Sequence, residues 1–278
     1  MALFSRVSQG DLGTLALGLV IAGVAGGLVS GMLGVGGGIV VVPILYQVLA
    51  GLGVDSSVRM QVATGSVLAA MLPCAVQAAM AANGKGALDW PLLRRWWLPL
   101  LIGALAAGML AAWLRGRTLT LLFAVLAFPL AALFAVWSER KRLRPQPPAG
   151  IAGVAAAFAI GGISTLMGLG GGTIGVPALT SSGFAFERAL GTANAFGVIV
   201  SVTGAAAAML AGWYAGGLPP FSLGYVNVAA VLLLAPTLFF ASKAGASLAQ
   251  VIDRDRLRKV LALFVAVAAV RLLWEVLA

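Results

Sequence analysis

The chain contains no histidine and a single cysteine, and only 9% of its residues are charged. Without histidine, the commonest metal ligand and the commonest general acid–base are both missing. The acidic residues number eight: Asp11, Asp55, Asp89, Glu139, Glu187, Asp253, Asp255 and Glu275. None lies in the middle of an apolar segment. No carboxylate pair is therefore available there for acid–base work or metal binding. The expectation is a protein that is not an enzyme, with no catalytic residue, no metal site and no cofactor. The lone Cys74 excludes an intrachain disulfide. It lies in an apolar run and reads as a small packing residue.

What the sequence has in quantity is apolar side chains. Of its 278 residues 61% are hydrophobic, and the mean hydropathy is +1.05. A soluble domain carries about 25% charged residues. This composition excludes a water-covered globule and reads as an integral membrane protein. The net charge of +10 does not point to nucleic acid. Its Lys and Arg residues are scattered among short loops, where they mark the cytoplasmic side of a membrane protein.

Apolar segments follow closely: 12–33, 39–50, 58–82, 90–114 and 118–137, then 151–167, 173–181, 189–212, 225–240 and 260–277. The first is too long for a signal-peptide core. Two of them, 39–50 and 173–181, fall short of the roughly 20 residues that span a bilayer and read as half-helices. Between the two sets runs "SERKRLRPQPPAG", residues 138–150, the one stretch that looks like a linker. The domain reading is a first transmembrane repeat at 1–137, a cytoplasmic linker at 138–150 and a second repeat at 151–278.

The halves repeat. "GMLGVGGGIVVVPIL" at 31–45 is echoed by "LMGLGGGTIGVPAL" at 166–179. Gly168, Gly170, Gly171, Gly172 and Pro177 each lie 134 positions after Gly34, Gly36, Gly37, Gly38 and Pro43. Farther on, an offset of 137 matches Pro99 to Pro236, Gly108 to Gly245, Arg117 to Arg254 and Trp137 to Trp274. Between these blocks Thr64 matches Thr192 at an offset of 128.

Arg140, Lys141, Arg142 and Arg144 place the linker inside. Counting back puts the loop with Lys85, Arg94 and Arg95 inside as well. Counting forward, Lys243 and the basic run from Arg254 to Lys259 are inside only if each glycine unit crosses an even number of times. Each repeat then has an odd number of crossings. The fold class expected is all-α, with two inverted-topology repeats of about four to five membrane helices each. The first helical unit of each repeat is broken at its GxGGG motif. Both termini, Arg115 and Arg117 fall outside in this arrangement.

Four glycines in five residues end a helix, since each costs about 1 kcal/mol against alanine. Non-helical backbone at membrane depth needs protein or a wet cavity to satisfy it. The helix that restarts presents unpaired N–H groups and about half a positive charge, which suits an anion. Close helix packing is the plainer reading of small residues at spacing four, and Gly27, Gly31, Gly204 and Ala208 fit it. Consecutive glycines exceed what packing requires. The candidate binding residues are therefore Gly34, Gly36, Gly37 and Gly38 with Gly168, Gly170, Gly171 and Gly172. Thr64 and Ser66 in "VATGSV" and their counterparts Thr192 and Asn194 in "LGTANAF" are candidate donors to an anion's oxygens. A hydroxyl bonded back to its own helix is the alternative for each. Gln61 shares a helix face with Thr64. Gln61, together with Arg59, Arg188 and Glu187 at the segment entrances, is read as a vestibule or gating residue.

With its paired "GVGGG…VVPIL" and "GLGGG…GVPAL" blocks, the chain resembles the sulfite exporter TauE/SafE family over essentially its whole length. The resemblance implies a multi-pass transporter of the bacterial inner membrane. It implies a small sulfur oxyanion or organosulfonate, such as sulfite, as substrate, most often moved outward. The partners expected are that substrate and membrane lipid, not nucleic acid, with a homodimer left open. The lack of an intramembrane acid favours a uniporter driven by gradient and potential. The competing readings are an anion channel and a proton-coupled carrier of a different organic or inorganic anion, with Glu187 as the residue through which proton antiport would run.

Overall fold

The computed structural model describes residues 9–34, 36–136, 147–249 and 254–277. Residues 138–146 of the expected linker, Trp137, and the acidic residues Glu139 and Asp253 lie outside them.

Ten helices run through the described residues. In the first half these are α1 (Gln9–Leu33), α2 (Gly38–Gly51), α3 (Ser56–Gly84), α4 (Trp90–Trp113) and α5 (Gly116–Val136). In the second they are α6 (Gly150–Leu166), α7 (Gly172–Ser181), α8 (Phe186–Ala211), α9 (Val228–Leu248) and α10 (Arg254–Leu277). A hairpin of β1 (Ser222–Leu223) and β2 (Val226–Asn227) precedes α9. Seven helices are long and apolar enough to cross a membrane: α1, α3, α4, α5, α8, α9 and α10.

The outer faces carry apolar side chains in the open. Ile21, Trp97, Ile102, Leu232 and Phe240 are all about half exposed or more. In water such faces would be sticky; in a bilayer they meet lipid. The protein is a multi-pass membrane protein.

Local chemistry sets the helix starts. Asp55 opens α3, its carboxylate accepting from the Ser57 backbone N–H at 2.7 Å. Hydrogen bonds from Ser57, side chain first and then backbone, hold that carboxyl below its ordinary pKa. Asp89 caps α4 through the Leu92 N–H, and Pro91 sits in the first turn. Asn227 caps α9 through the Ala230 N–H.

One difference from the sequence pattern is in α9. The apolar run at 225–240 predicts a helix over that span, and the structure shifts it to Val228–Leu248. Tyr225 belongs to the hairpin turn. The polar stretch after Phe240 stays helical because its alanines favour helix and Lys243 extends its charge outward.

α3 and α8 form the centre and lie antiparallel. A Cβ added at Gly65 would stand 2.9 Å from Ala208 Cβ, and one at Gly197 3.6 Å from Ala75 Cβ. Around this pair the halves exchange partners. α1 packs along α9, α6 along α4, and α5 against α10. Glycines let α1 approach α9 closely: a Cβ at Gly27 would meet Ala241 Cβ at 2.7 Å.

Candidate functional site

The two glycine segments meet inside the bundle. α1 ends at Leu33 and α2 starts at Gly38; α6 ends at Leu166 and α7 starts at Gly172. Gly34 and Gly36 have φ of 63° and 73°, and Gly168 and Gly170 have 64° and 70°. Such angles are natural to glycine and costly for any side chain. A Cβ at Gly36 would stand 2.6 Å from the Leu169 carbonyl, and one at Gly38 would stand 2.9 Å from Leu169 Cα. The backbones of the two segments touch, which is what the bare glycines permit.

Neither helix start has a side-chain cap: Gly37 and Gly171 occupy the N-cap positions. The first N–H groups of an α-helix have no partner within it. In α2 the Gly37 carbonyl accepts from Val40 and Val41 at 3.0 and 3.1 Å, so the helix is formed from its first turn.

A cavity of about 390 Å³ reaches these segments. It runs between α3 and α8 and opens where Lys85, Lys243 and Glu187 line it. All three are exposed. The two lysines outnumber the one carboxylate, so these three side chains give the mouth a net positive charge. At the inner end the cavity is lined by Gly34 and Gly36 from the first segment and by Gly170, Gly171 and Gly172 from the second. Gly37, Gly38 and Gly168 do not line it. A Cβ at Gly168 would lie 3.0 Å from Thr64 Cα, and Gly37 is pressed against the carbonyl of Gly26.

The four polar candidates divide. Asn194 lines the cavity. Thr64 donates to its own helix, to the Met60 carbonyl at 3.0 Å and the Gln61 carbonyl at 3.2 Å. Ser66 accepts from the backbone N–H of Asn227 at 2.8 Å. Thr192 donates to the Arg188 carbonyl at 2.8 Å and accepts from the Asp89 N–H at 3.0 Å. Ser66 and Thr192 thus hold the starts of α9 and α4 against the central helix of the opposite half.

The entrance residues also separate. Glu187 lines the cavity mouth. Arg188, half exposed, pairs with Asp89 at 3.0 Å. Arg59 pairs with Glu275 at 2.9 Å, donates to the Val54 carbonyl and lies over the Tyr46 ring. Gln61 donates to the Leu114 carbonyl at 3.0 Å, and its own carbonyl oxygen is buried with no partner.

Gln61 and Thr64 line a second, much smaller cavity of about 20 Å³ with Gly108, Thr165 and Gly204. The large cavity lies at the C-terminal part of α3 and the N-terminal part of α8, the small one at the opposite ends of both.

Three residues that sequence reasoning passed over reach the large cavity. Gln77 and Ser201 line it with buried oxygens that have no hydrogen-bond partner. Met71 lies against both glycine segments: a Cβ at Gly36 or Gly170 would stand 3.1 Å from its Cε, and one at Gly38 3.0 Å from its Sδ. The signal for Ser201 was its spacing, since it stands seven residues after Asn194 on the same helical face.

A probable membrane transporter protein of Haemophilus influenzae is 28% identical over 259 residues, covering 93% of this chain and 98% of that protein. No solved structure matches the chain. The sulfite exporter TauE/SafE family model matches residues 19–272. The chain belongs to the sulfite exporter TauE/SafE family.

Proposed function

We propose that this membrane transporter carries a small sulfur oxyanion or organosulfonate outward by alternating access, binding it where the two glycine segments meet. The observation that carries this reading is the unequal pair of cavities, about 390 Å³ at one end of the α3–α8 pair and about 20 Å³ at the other. Each is built from corresponding elements of opposite halves. α1, α3, α8 and α9 line the large one, and α6, α8, α3 and α4 line the small one. A carrier made of inverted repeats presents that asymmetry when one side is open and the other closed. The antiparallel α3 and α8, and the exchanged packing of α1 on α9 and α6 on α4, support the inverted arrangement.

In this reading the open side is cytoplasmic, where the sequence places Lys85 and Lys243. An anion enters past the lysines and meets backbone N–H groups at the α7 start. Closing the large cavity and opening the small one releases it outside. An inside-negative potential assists an outgoing anion by about 2.3 kcal/mol per charge per 100 mV. The acidic side chains described, at Asp55, Asp89, Glu187 and Glu275, stand at helix ends, and this favours uniport over a proton relay through the membrane.

Efflux of labelled sulfite from liposomes holding the purified protein tests the reading, with potential clamped and no pH gradient. Saturable, potential-driven efflux supports it. Efflux that appears only with a pH gradient replaces uniport by proton coupling through Glu187. Flux without saturation or counterflow makes the protein a channel. Absence of sulfite flux under either force refutes sulfite as the substrate.

A further inference from the structure

Two buried polar groups in the large cavity remain unused by the fold. Ser201 is fully buried, its hydroxyl has no partner, and it lines the cavity. A buried hydroxyl without a partner costs free energy, so its place in a cavity wall calls for a guest. The Gln77 side-chain oxygen on α3 is likewise buried and unpartnered.

The surroundings of Ser201 define what that guest is. Asn194, Gly197 and Ser201 lie on one face of α8 at spacings of three and four, and all three line the cavity. Asn194 and Ser201 are two turns apart, about 10 Å along the axis. Between them, at Gly197, the start of α7 docks: a Cβ at Gly171 would lie 2.6 Å from the Gly197 nitrogen. The uncapped N-terminus of α7 thus sits between an amide and a free hydroxyl. The start of α2 does not join it, since Gly37 and Gly38 are packed away from the cavity.

We propose that Asn194, Ser201 and the α7 N-terminus form an oxyanion-binding site that selects a singly charged substrate. The proposal rests on the transporter reading for its substrate class. The selection follows from the donors present. No cationic side chain lies on this face. Lys85 is nearest the Asn194 end, where Ala82 and Ala87 pack on Gly191, and it stands 14 residues along α3 from Met71 at the cavity's inner end, about 21 Å of helix, so the Ser201 end is the part remote from it. A helix N-terminus offers about half a charge, and neutral donors add hydrogen bonds without charge. A dianion has about four times the desolvation cost of a monoanion of equal size, because that cost scales with the square of the charge. Hydrogen sulfite and sulfonates fit the site, and sulfate and fully ionised sulfite do not.

The test uses methanesulfonate, a permanent monoanion, and sulfate, a dianion, against the purified full-length protein. Binding is measured by calorimetry in detergent and by competition with labelled sulfite efflux. Methanesulfonate binds and competes; sulfate at the same concentration does neither. Ser201→Ala weakens methanesulfonate binding about tenfold or more, the scale of a hydrogen bond to a charged group. Ser201→Thr restores most of it. Because the hydroxyl has no protein partner, Ser201→Ala melts at the wild-type temperature or above, which separates binding from folding. Equal binding by wild type and Ser201→Ala overturns the site even where sulfite efflux is intact and the transporter reading stands. Equal competition by sulfate overturns the charge selection. A wild-type protein that exports sulfite yet binds no methanesulfonate overturns the site as well. Absent sulfite efflux with methanesulfonate binding retained refutes the sulfite reading and leaves the site supported.

Discussion

Ser66 Oγ on α3 accepts a hydrogen bond from the backbone N–H of Asn227, 161 residues later, at 2.8 Å. Thr192 Oγ1 on α8 does the same for the N–H of Asp89 at 3.0 Å. Asn227 and Asp89 are the N-caps of α9 and α4. Each half therefore anchors its fourth helix to the central helix of the other. Removing the Ser66 hydroxyl leaves a buried backbone donor without a partner. Ser66→Ala is expected to lower stability by about 1–3 kcal/mol, read as a drop in the melting midpoint in detergent. Asn194→Ala, on the cavity wall, reduces sulfite efflux with little change in that midpoint. A Ser66→Ala protein as stable as wild type would remove the anchoring role.

The glycine segments make an ordered prediction. At Gly170 an added methyl meets only the flexible Met71 tip, but φ is +70°. Gly170→Ala is expected to cost about 1–2 kcal/mol from the backbone alone. At Gly38 an ordinary helical residue would fit the conformation. The methyl would instead press on the backbone of the other segment around Gly168 and Leu169. Backbone cannot yield as a side chain does, so Gly38→Ala is expected to cost more, about 3 kcal/mol. Denaturant unfolding in detergent reads both, and the reverse order would contradict the contact between the segments.

Cys74 is the only cysteine, and it lines the large cavity. It reports which side that cavity faces. A membrane-impermeant methanethiosulfonate reagent is expected to modify it about tenfold faster in inside-out vesicles than in right-side-out ones, since modification follows access. Methanesulfonate slows the reaction. Sulfite is unsuitable as the protectant because it consumes the reagent. Faster labelling from the external side would reverse the orientation proposed here.

Much of this architecture was legible in the sequence, for identifiable reasons. The breaks at Gly34–Gly38 and Gly168–Gly172 are local: consecutive glycines end a helix wherever they fall. The seven long apolar helices follow from composition. The use of each hydroxyl was not legible, because it depends on neighbours distant in the chain. Ser66 and Ser201 look alike in sequence, as hydroxyls in apolar helices. Ser66 meets the α9 start and is consumed by it, whereas Ser201 faces a cavity. Arg59 and Arg188, read as vestibule or gating residues, have carboxylate partners in Glu275 and Asp89. Those partners lie 216 and 99 residues away, beyond the reach of any local pattern.

Met71 supplies the last prediction. Its side chain is 5% exposed, lines the inner end of the large cavity and touches glycines of both segments. In the transport path proposed above, an anion moving from the cavity toward Gln61 and Thr64 displaces it. Methionine suits that role, since it is unbranched and has three rotatable bonds. Isoleucine is stiff at χ1 in a helix. Met71→Ile is expected to cut maximal sulfite efflux about tenfold, equal to about 1.4 kcal/mol of barrier. Half-saturation changes little, because Ser201 and Asn194 are untouched. Met71→Leu keeps the volume and is branched at Cγ instead of Cβ, so its χ1 is less restricted than isoleucine's, and its flux falls between the two. Its stability cost stays under about 1.5 kcal/mol. Efflux from liposomes at clamped potential separates the cases. If Met71→Ile transports as fast as wild type, the thioether is only packing and the path of the anion lies elsewhere between α3 and α8.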